Sequence, residues 1–465
     1  NNTFKMADSS PNKTAGSPMG AFGDLLLQNQ FTDPAQKKDP DYGRKLLARI
    51  FKTQSNDTTS FFFGGRNLKW LEAWKWAMGR QDMREFVDYV STDGNKAYTN
   101  VDMTPNRTGA QFVETLINSM AQNEEYPNVT AIDDGSVSEK EQRKLEALFR
   151  MREVEKINAM QQQAGMQFEP EGVYVPDDEL SAEVYLKLED RLPKEIEFEE
   201  MLNKIMIDNE FPQMKRQILR DLIVLNCGAT KIEKDDNGFI SIRKCIAPNL
   251  MYNFFMTDSG KRELSYIGET YNLKIKDLRK KYGKSDTNKN GLSEKDIFEM
   301  AKNATQFNTS NRFYYNWTDS YLYSTDRPYD DFSIQVFDCE VQSFDCDYYV
   351  NKQDSYGKDN IQPKKGKPQP TSEKAKVIKS DKLTWYRGVW AVKADKMIYW
   401  RLPDIVIRPF MDISQCLSSY TINIPNNDVD YVPSLFERAL SPLRKYVLCD
   451  LKLKQLIANM RAAGI

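Results

Sequence analysis

Apolar residues follow a helical period over much of the chain and then switch to alternation. "DYGRKLLARIF" (41–51) predicts a short amphipathic helix. In "RNLKWLEAWKWAMGRQDMREFVDYV" (66–90), Leu68, Leu71, Trp74, Trp76 and Met78, then Met83, Phe86 and Val90, keep a helical spacing broken at Gly79. "GAQFVETLINSMAQ" (109–122) is a further helix, and residues 138–163 form a long charged one opened by a Ser138/Glu141 capping box. Helices follow around 195–209 and 212–227, the second with Pro212 near its start and Gly228 just past its end. The period then changes. "ATKIEKDDNGFISIRKC" reads as strand, turn and strand, with Ile232 before the "DDNG" turn and Phe239, Ile240 and Ile242 after it. "PNLMYNFF" and "LSYIGETYNL" continue as strands, and "KIKDLRKKYG" returns to helix. A helical face feeding a tight hairpin predicts an α+β layer.

"DTNKNGLSEKDIFEM" (286–300) begins like a calcium loop, with Asp286, Asn288, Asn290 and Gly291 at its first, third, fifth and sixth places. Its twelfth place, where such a loop needs a bidentate Glu, is Ile297. The better reading is an Asn290-Gly291 turn followed by Ser293 as helix N-cap, with Asp296 three residues on. From 310 to 410 the chain is strand-rich, in "FSIQVFDCEVQSF", "KLTWYRGVWAV" and "KMIYWRLP". The Lys/Pro-rich stretch 358–376 between the first two predicts a solvated flexible tip. "SPLRKYVLCDLKLKQLIANM" (441–460) predicts a long helix capped by Ser441, with Pro442 in its first turn. Its apolar residues spread over more than one face, which suits packing on several sides.

Composition narrows the function. The 465 residues suffice for two or three domains. Aromatics at 12% suit large packed or inter-subunit surfaces. With 65 Lys and Arg against 67 Asp and Glu, the net charge of −2 lacks the basic excess of a protein that grips nucleic acid by its phosphates. There is no histidine, which removes Ser-His and Cys-His nucleophile pairs and His-ligated zinc. The six cysteines form no C-x-x-C pair, and scattered thiols fit synthesis in a cytoplasm. Residues 1–40 are polar and read as a flexible N-terminal arm. No apolar run approaches a membrane span. The chain begins "NNTFKM" and stops just after a helical pattern, which predicts a processed protein or part of a longer one.

Enzymatic motifs fail. "GKS" (283–285) lacks the earlier glycine of a phosphate loop, since residue 278 is Leu278. No nucleophile elbow, H-E-x-x-H or G-x-G-x-x-G occurs. No catalytic, cofactor-binding or metal residue is assigned, and a structural or interaction protein is the simplest reading.

The order of elements resembles that of tailed-phage portal proteins. "WKWAMGRQ" is similar to their aromatic-x-x-G-x-Q element, through Gly79 and Gln81. The segment from "RDLIVLNCG" to "DLRKKYG" resembles their helix, Gly, hairpin, Pro-containing strand, I-x-E strand and helix ending in Lys-Tyr. Asp221, Gly228, Gly238, Pro248, Ile267, Glu269, Leu278 and Tyr282 hold the matching places. The resemblance covers roughly residues 66–465, and within the family it looks closest to podovirus-type and crAss-like phages. It implies a wing domain over 41–292, a first stem helix over 293–309, a clip over 310–410, a connector over 411–440 and a second stem helix over 441–465, with the tunnel loop, remaining wing and crown of the family beyond this chain. It further implies a virion protein at the head-tail junction, made in the host cytoplasm. Its partners would be further copies in a ring, usually a dodecamer, with the major capsid protein, the terminase, adaptor or tail proteins, and double-stranded DNA passing through. The alternatives are another head-tail ring or adaptor protein, or a metal-dependent nuclease or terminase-like enzyme.

Overall fold

The computed structural model describes residues 34–56, 66–90, 101–122, 126–161, 180–181, 184–185, 191–234, 238–253, 255–257, 263–284, 291–306, 332–353, 359–364, 376–403, 405–408, 415–425 and 433–462. Both helices and strands are present, an α+β chain in two compact units: residues 121–213 form one, and the rest of the chain the other.

In the larger unit, α1 (Pro34–Lys37), α2 (Pro40–Asn56), α3 (Arg66–Ala77), α4 (Val87–Val90) and α5 (Thr108–Ala121) precede the strands. The smaller unit contributes α6 (Asp134–Gln161) and α7 (Pro193–Asp208). There follow α8 (Phe211–Leu225), β1 (Gly228–Lys234), β2 (Ile240–Lys244), β3 (Leu250–Tyr252), β4 (Tyr266–Lys274), α9 (Ile275–Tyr282) and α10 (Glu294–Gln306). The remainder is β5 (Ser333–Gln353), β6 (Asp359–Lys364), β7 (Lys376–Ala391), β8 (Lys396–Arg401), β9 (Tyr420–Asn423) and α11 (Leu435–Ala462).

The strands make two antiparallel sheets. One runs β2-β1-β9; the other runs β3-β4-β5-β7-β8, with β6 beside the far end of β5. Alternation along β5 explains how the larger sheet is covered. Phe337, Cys339 and Val341 point to one face, where Leu46, Leu47 and Ile50 of α2 join Tyr386, Trp390 and Trp400. Ile334 and Val336 point to the other, under Leu278 of α9 and Ile297 and Met300 of α10. A third core joins α3, α5, α8 and the buried stripe of α11 (Phe436, Leu440, Val447, Leu451) to the three-stranded sheet. Both faces of this part of β5 are buried, with the acidic Asp338 and Glu340 following Ile334 and Val336 on the second.

Several boundaries differ from the sequence reading. The long charged helix starts at Asp134, not Ser138, because Asp133 caps it: its carboxylate accepts the Ser136 N–H at 3.2 Å and its carbonyl the Val137 N–H at 3.0 Å. The last helix starts at Leu435, not 441. Ser434 is its cap, accepting the Glu437 N–H at 2.9 Å and donating its hydroxyl to the Val224 carbonyl at 2.7 Å, so Pro442 lies inside the helix. Residues read as connector supply β9 to the smaller sheet. Part of the Lys/Pro-rich stretch is strand β6, paired with β5; residues 365–375 lie outside the described residues. The end of the N-terminal arm is anchored: Lys37 is buried, donating to Ser343 Oγ and the Phe344 carbonyl, both at 2.8 Å, while its own carbonyl accepts the Trp400 indole N–H at 2.7 Å. The strands of 310–410 share a sheet with β3 and β4, so no boundary between sheets falls at 310.

Candidate functional site: a charge-matched joint between two sheets

The densest polar chemistry of the described residues lies where the two sheets of the larger unit meet. Register creates it. On β1 and β2, Lys231 and Arg243 are direct cross-strand partners; on β4 and β5, Glu269 and Asp338 are. Like charges directly opposite destabilise a sheet. Here each pair is neutralised by the other sheet. Lys231 Nζ lies 2.5 Å from Asp338 and 3.0 Å from Glu233, and Arg243 pairs with Glu269. Arg387 of β7 completes the cluster with a two-pronged contact to Asp338 (2.8 and 3.2 Å) and a contact to Glu233 at 3.1 Å. Lys231 also sits over the Tyr420 ring, 4.5 Å from its centroid. Beside it, the buried Glu340 carboxylate accepts the Ser418 hydroxyl at 2.6 Å, the Ser419 N–H at 2.9 Å and the Ser419 hydroxyl.

The electrostatics follow from this arrangement. Burial works against the charge of Glu233, but the Lys231, Arg387 and Arg243 cations outweigh it and hold its carboxyl at about 2. Asp338, fully buried, is held still further below the usual carboxylate range as Arg387 and Lys231 overcome its desolvation. Burial pushes the Cys245 and Cys339 thiols up, so neither is a ready nucleophile. Each of these carboxylates is engaged by cations or hydroxyls, an arrangement that fixes the two sheets against each other. Among the described residues, no group of three or more His, Cys, Asp or Glu side chains is placed to hold a metal ion. No helix among them is long and apolar enough to cross a membrane.

The positions that carry the portal resemblance fall at structural joints. Gly79 has φ +65°, a conformation that side chains resist, and turns the chain after α3. Gln81 is buried and donates its amide to the Asn106 carbonyl at 2.6 Å. Asp221 pairs with Lys244 at 2.7 Å, joining α8 to β2. Gly228 opens β1 against Ile218 and Leu222 of α8, and Gly238 turns the hairpin at φ +87°. Pro248 lies in the tight turn before β3, Ile267 and Leu278 are core, Glu269 belongs to the ionic joint, and Tyr282 packs on Tyr399 at 5.9 Å. At the opening of α10, the Ser293 hydroxyl accepts the Asp296 N–H at 3.3 Å and the Asp296 carboxylate accepts the Ser293 N–H at 3.2 Å, the reciprocal cap expected there. Asp286, Asn288 and Asn290 lie outside the described residues.

Only Glu269 of the joint was marked by sequence. Lys231, Asp338 and Arg387 are separated by 49 residues or more, and nothing in their local spacing signals a contact. Asp338 and Glu340 alternating with Phe337, Cys339 and Val341 in "FDCEV" are the one trace. No protein-family model matches the chain, and no curated protein is significantly similar to it.

Proposed function

We propose that the chain is the subunit of a portal ring: a structural virion protein at one capsid vertex, forming the channel through which a phage genome is packaged and ejected. The observation that carries this reading is element order. An α8–Gly228–hairpin unit leads through a Pro248 turn and β4 to α9, which ends in Lys-Tyr; α10, a strand-rich segment and the long α11 follow. In this reading α10 and α11 are the stem helices, and the far end of β5, β6 and β7 is the clip. Double-stranded DNA passes through, with capsid protein, terminase and adaptor or tail proteins as neighbours. One physical feature supports it. Apolar side chains are exposed along α11, including Leu453, Leu456 and Met460, as expected of a subunit that closes its surface against further copies. Negative-stain imaging of the purified protein tests the reading: rings with a central hole are expected, and a field of compact single subunits at every concentration would refute it.

A further inference from the structure

The net charge of −2 conceals a segregation. Residues 121–213 hold 10 Lys and Arg against 23 Asp and Glu, a net −13, which leaves 55 against 44, a net +11, for the larger unit. Such a split is invisible in the total, and it sets an acidic segment of the chain against a basic remainder.

Each unit also carries an apolar seam on a helix. On α11, Tyr446, Cys449, Leu453, Leu456 and Met460 are all exposed and recur at spacings of three and four, the pattern of a helix-pairing seam. This seam is distinct from the buried stripe that holds α11 to its own core. Exposed Lys445 and Lys452, seven apart, flank it. The helix has six Lys and Arg against two acidic residues. On α7, exposed Phe198, Met201 and Leu202 form a shorter seam flanked by exposed Glu197 and Glu200, and five acidic residues stand against two lysines. The smaller unit's own helices are tied elsewhere on α7: buried Glu195 accepts the Lys140 ammonium at 2.6 Å and the Ala131 N–H at 2.5 Å.

We infer that the acidic α7 seam of one copy docks on the basic α11 seam of a second copy, apolar residues in the middle and glutamates against lysines at the rim. The inference rests on the ring reading and deepens it. A ring built head to tail needs two different, complementary faces on every subunit, so that the same contact repeats until it closes. Opposite charge at the rim sets the orientation and speeds encounter, and like faces repel, which disfavours a two-fold dimer through either helix.

The test is a charge swap in the full chain, read by sedimentation velocity at low salt. One variant carries Lys445→Glu and Lys452→Glu; the other carries Glu197→Lys and Glu200→Lys. All four positions are exposed, and circular dichroism checks that each variant folds. Each variant alone places like charges at every junction, and its association is expected to weaken about tenfold or more. An equimolar mixture restores opposite charges at every junction, in alternating order, and is expected to assemble, as is the chain with all four changes. High salt should weaken wild-type association. Wild-type rings with variants that assemble unchanged, or with a mixture that does not recover, would overturn the docking and leave the ring standing. A wild-type chain that stays monomeric would overturn both.

Discussion

Asp338 is the residue whose removal should reveal most about what holds the larger unit together. It is fully buried, with Lys231 Nζ at 2.5 Å and Arg387 at 2.8 and 3.2 Å. Asp338→Leu deletes the anion and leaves both cations to Glu233, which lies 3.0 Å from Lys231 and 3.1 Å from Arg387. Removing one partner of a buried ion pair costs about 3–5 kcal/mol, because the remaining charge is left desolvated. Since Glu233 stays, the lower end, about 3 kcal/mol, is expected. Replacing both members, Lys231→Met with Asp338→Leu, exchanges an ion pair for apolar contacts and should cost less than Asp338→Leu alone, leaving Arg387 paired with Glu233. Urea unfolding followed by tryptophan fluorescence reads this selectively: all seven tryptophans fall in the larger unit and none in residues 121–213. A loss under about 1 kcal/mol for Asp338→Leu, or a double variant whose loss equals the sum of the two single losses, would refute the view that the sheets are joined by mutual charge neutralisation.

Acid should loosen the same joint. Glu233 is held at about 2 in the folded chain against an ordinary 4.5, so its stabilisation is complete above about 4.5 and disappears as pH falls towards about 2. This amounts to something on the order of 3 kcal/mol, and Glu233→Gln should flatten the fluorescence-detected loss of stability across that window. Ser293→Ala removes the cap of α10 and should cost about 1 kcal/mol in a thermal melt, with Lys396 still 2.5 Å from Asp296. Melting temperatures in calcium and in chelator should agree; a calcium-dependent rise that Asp286→Ala abolishes would overturn the turn-and-cap reading. Gly79→Ala, forced into φ +65°, should cost about 1–2 kcal/mol in the same melt.

Local signals in the sequence were good where one physical cause acts over a few residues. The "DDNG" turn and its flanking alternation fixed the β1–β2 hairpin, and Ser293 with Asp296 marked the start of α10, because caps and tight turns are short-range chemistry. The start of α11 was misread for an instructive reason. Pro442 suits a first helical turn, and Ser441 before it suits a cap, yet Ser434 also bonds the Val224 carbonyl. A tertiary contact decided between two locally acceptable starts. Lys37 looked like part of a polar tail because its acceptors, Ser343 and Phe344, lie some 300 residues away in the chain. The ionic joint was hidden for the same reason. Cross-strand register sets which charges meet, and register between β1–β2 and β4–β5 is a property of the folded sheets.

Native mass spectrometry of the full chain addresses the central claim most directly. Each subunit weighs 53.9 kDa. A portal-type ring predicts one dominant species at a fixed whole multiple of that mass, twelve-fold in the usual ring, with no ladder of open oligomers. A chain that remains at 53.9 kDa, or stops at twice that mass, under conditions where its fold is intact would contradict it.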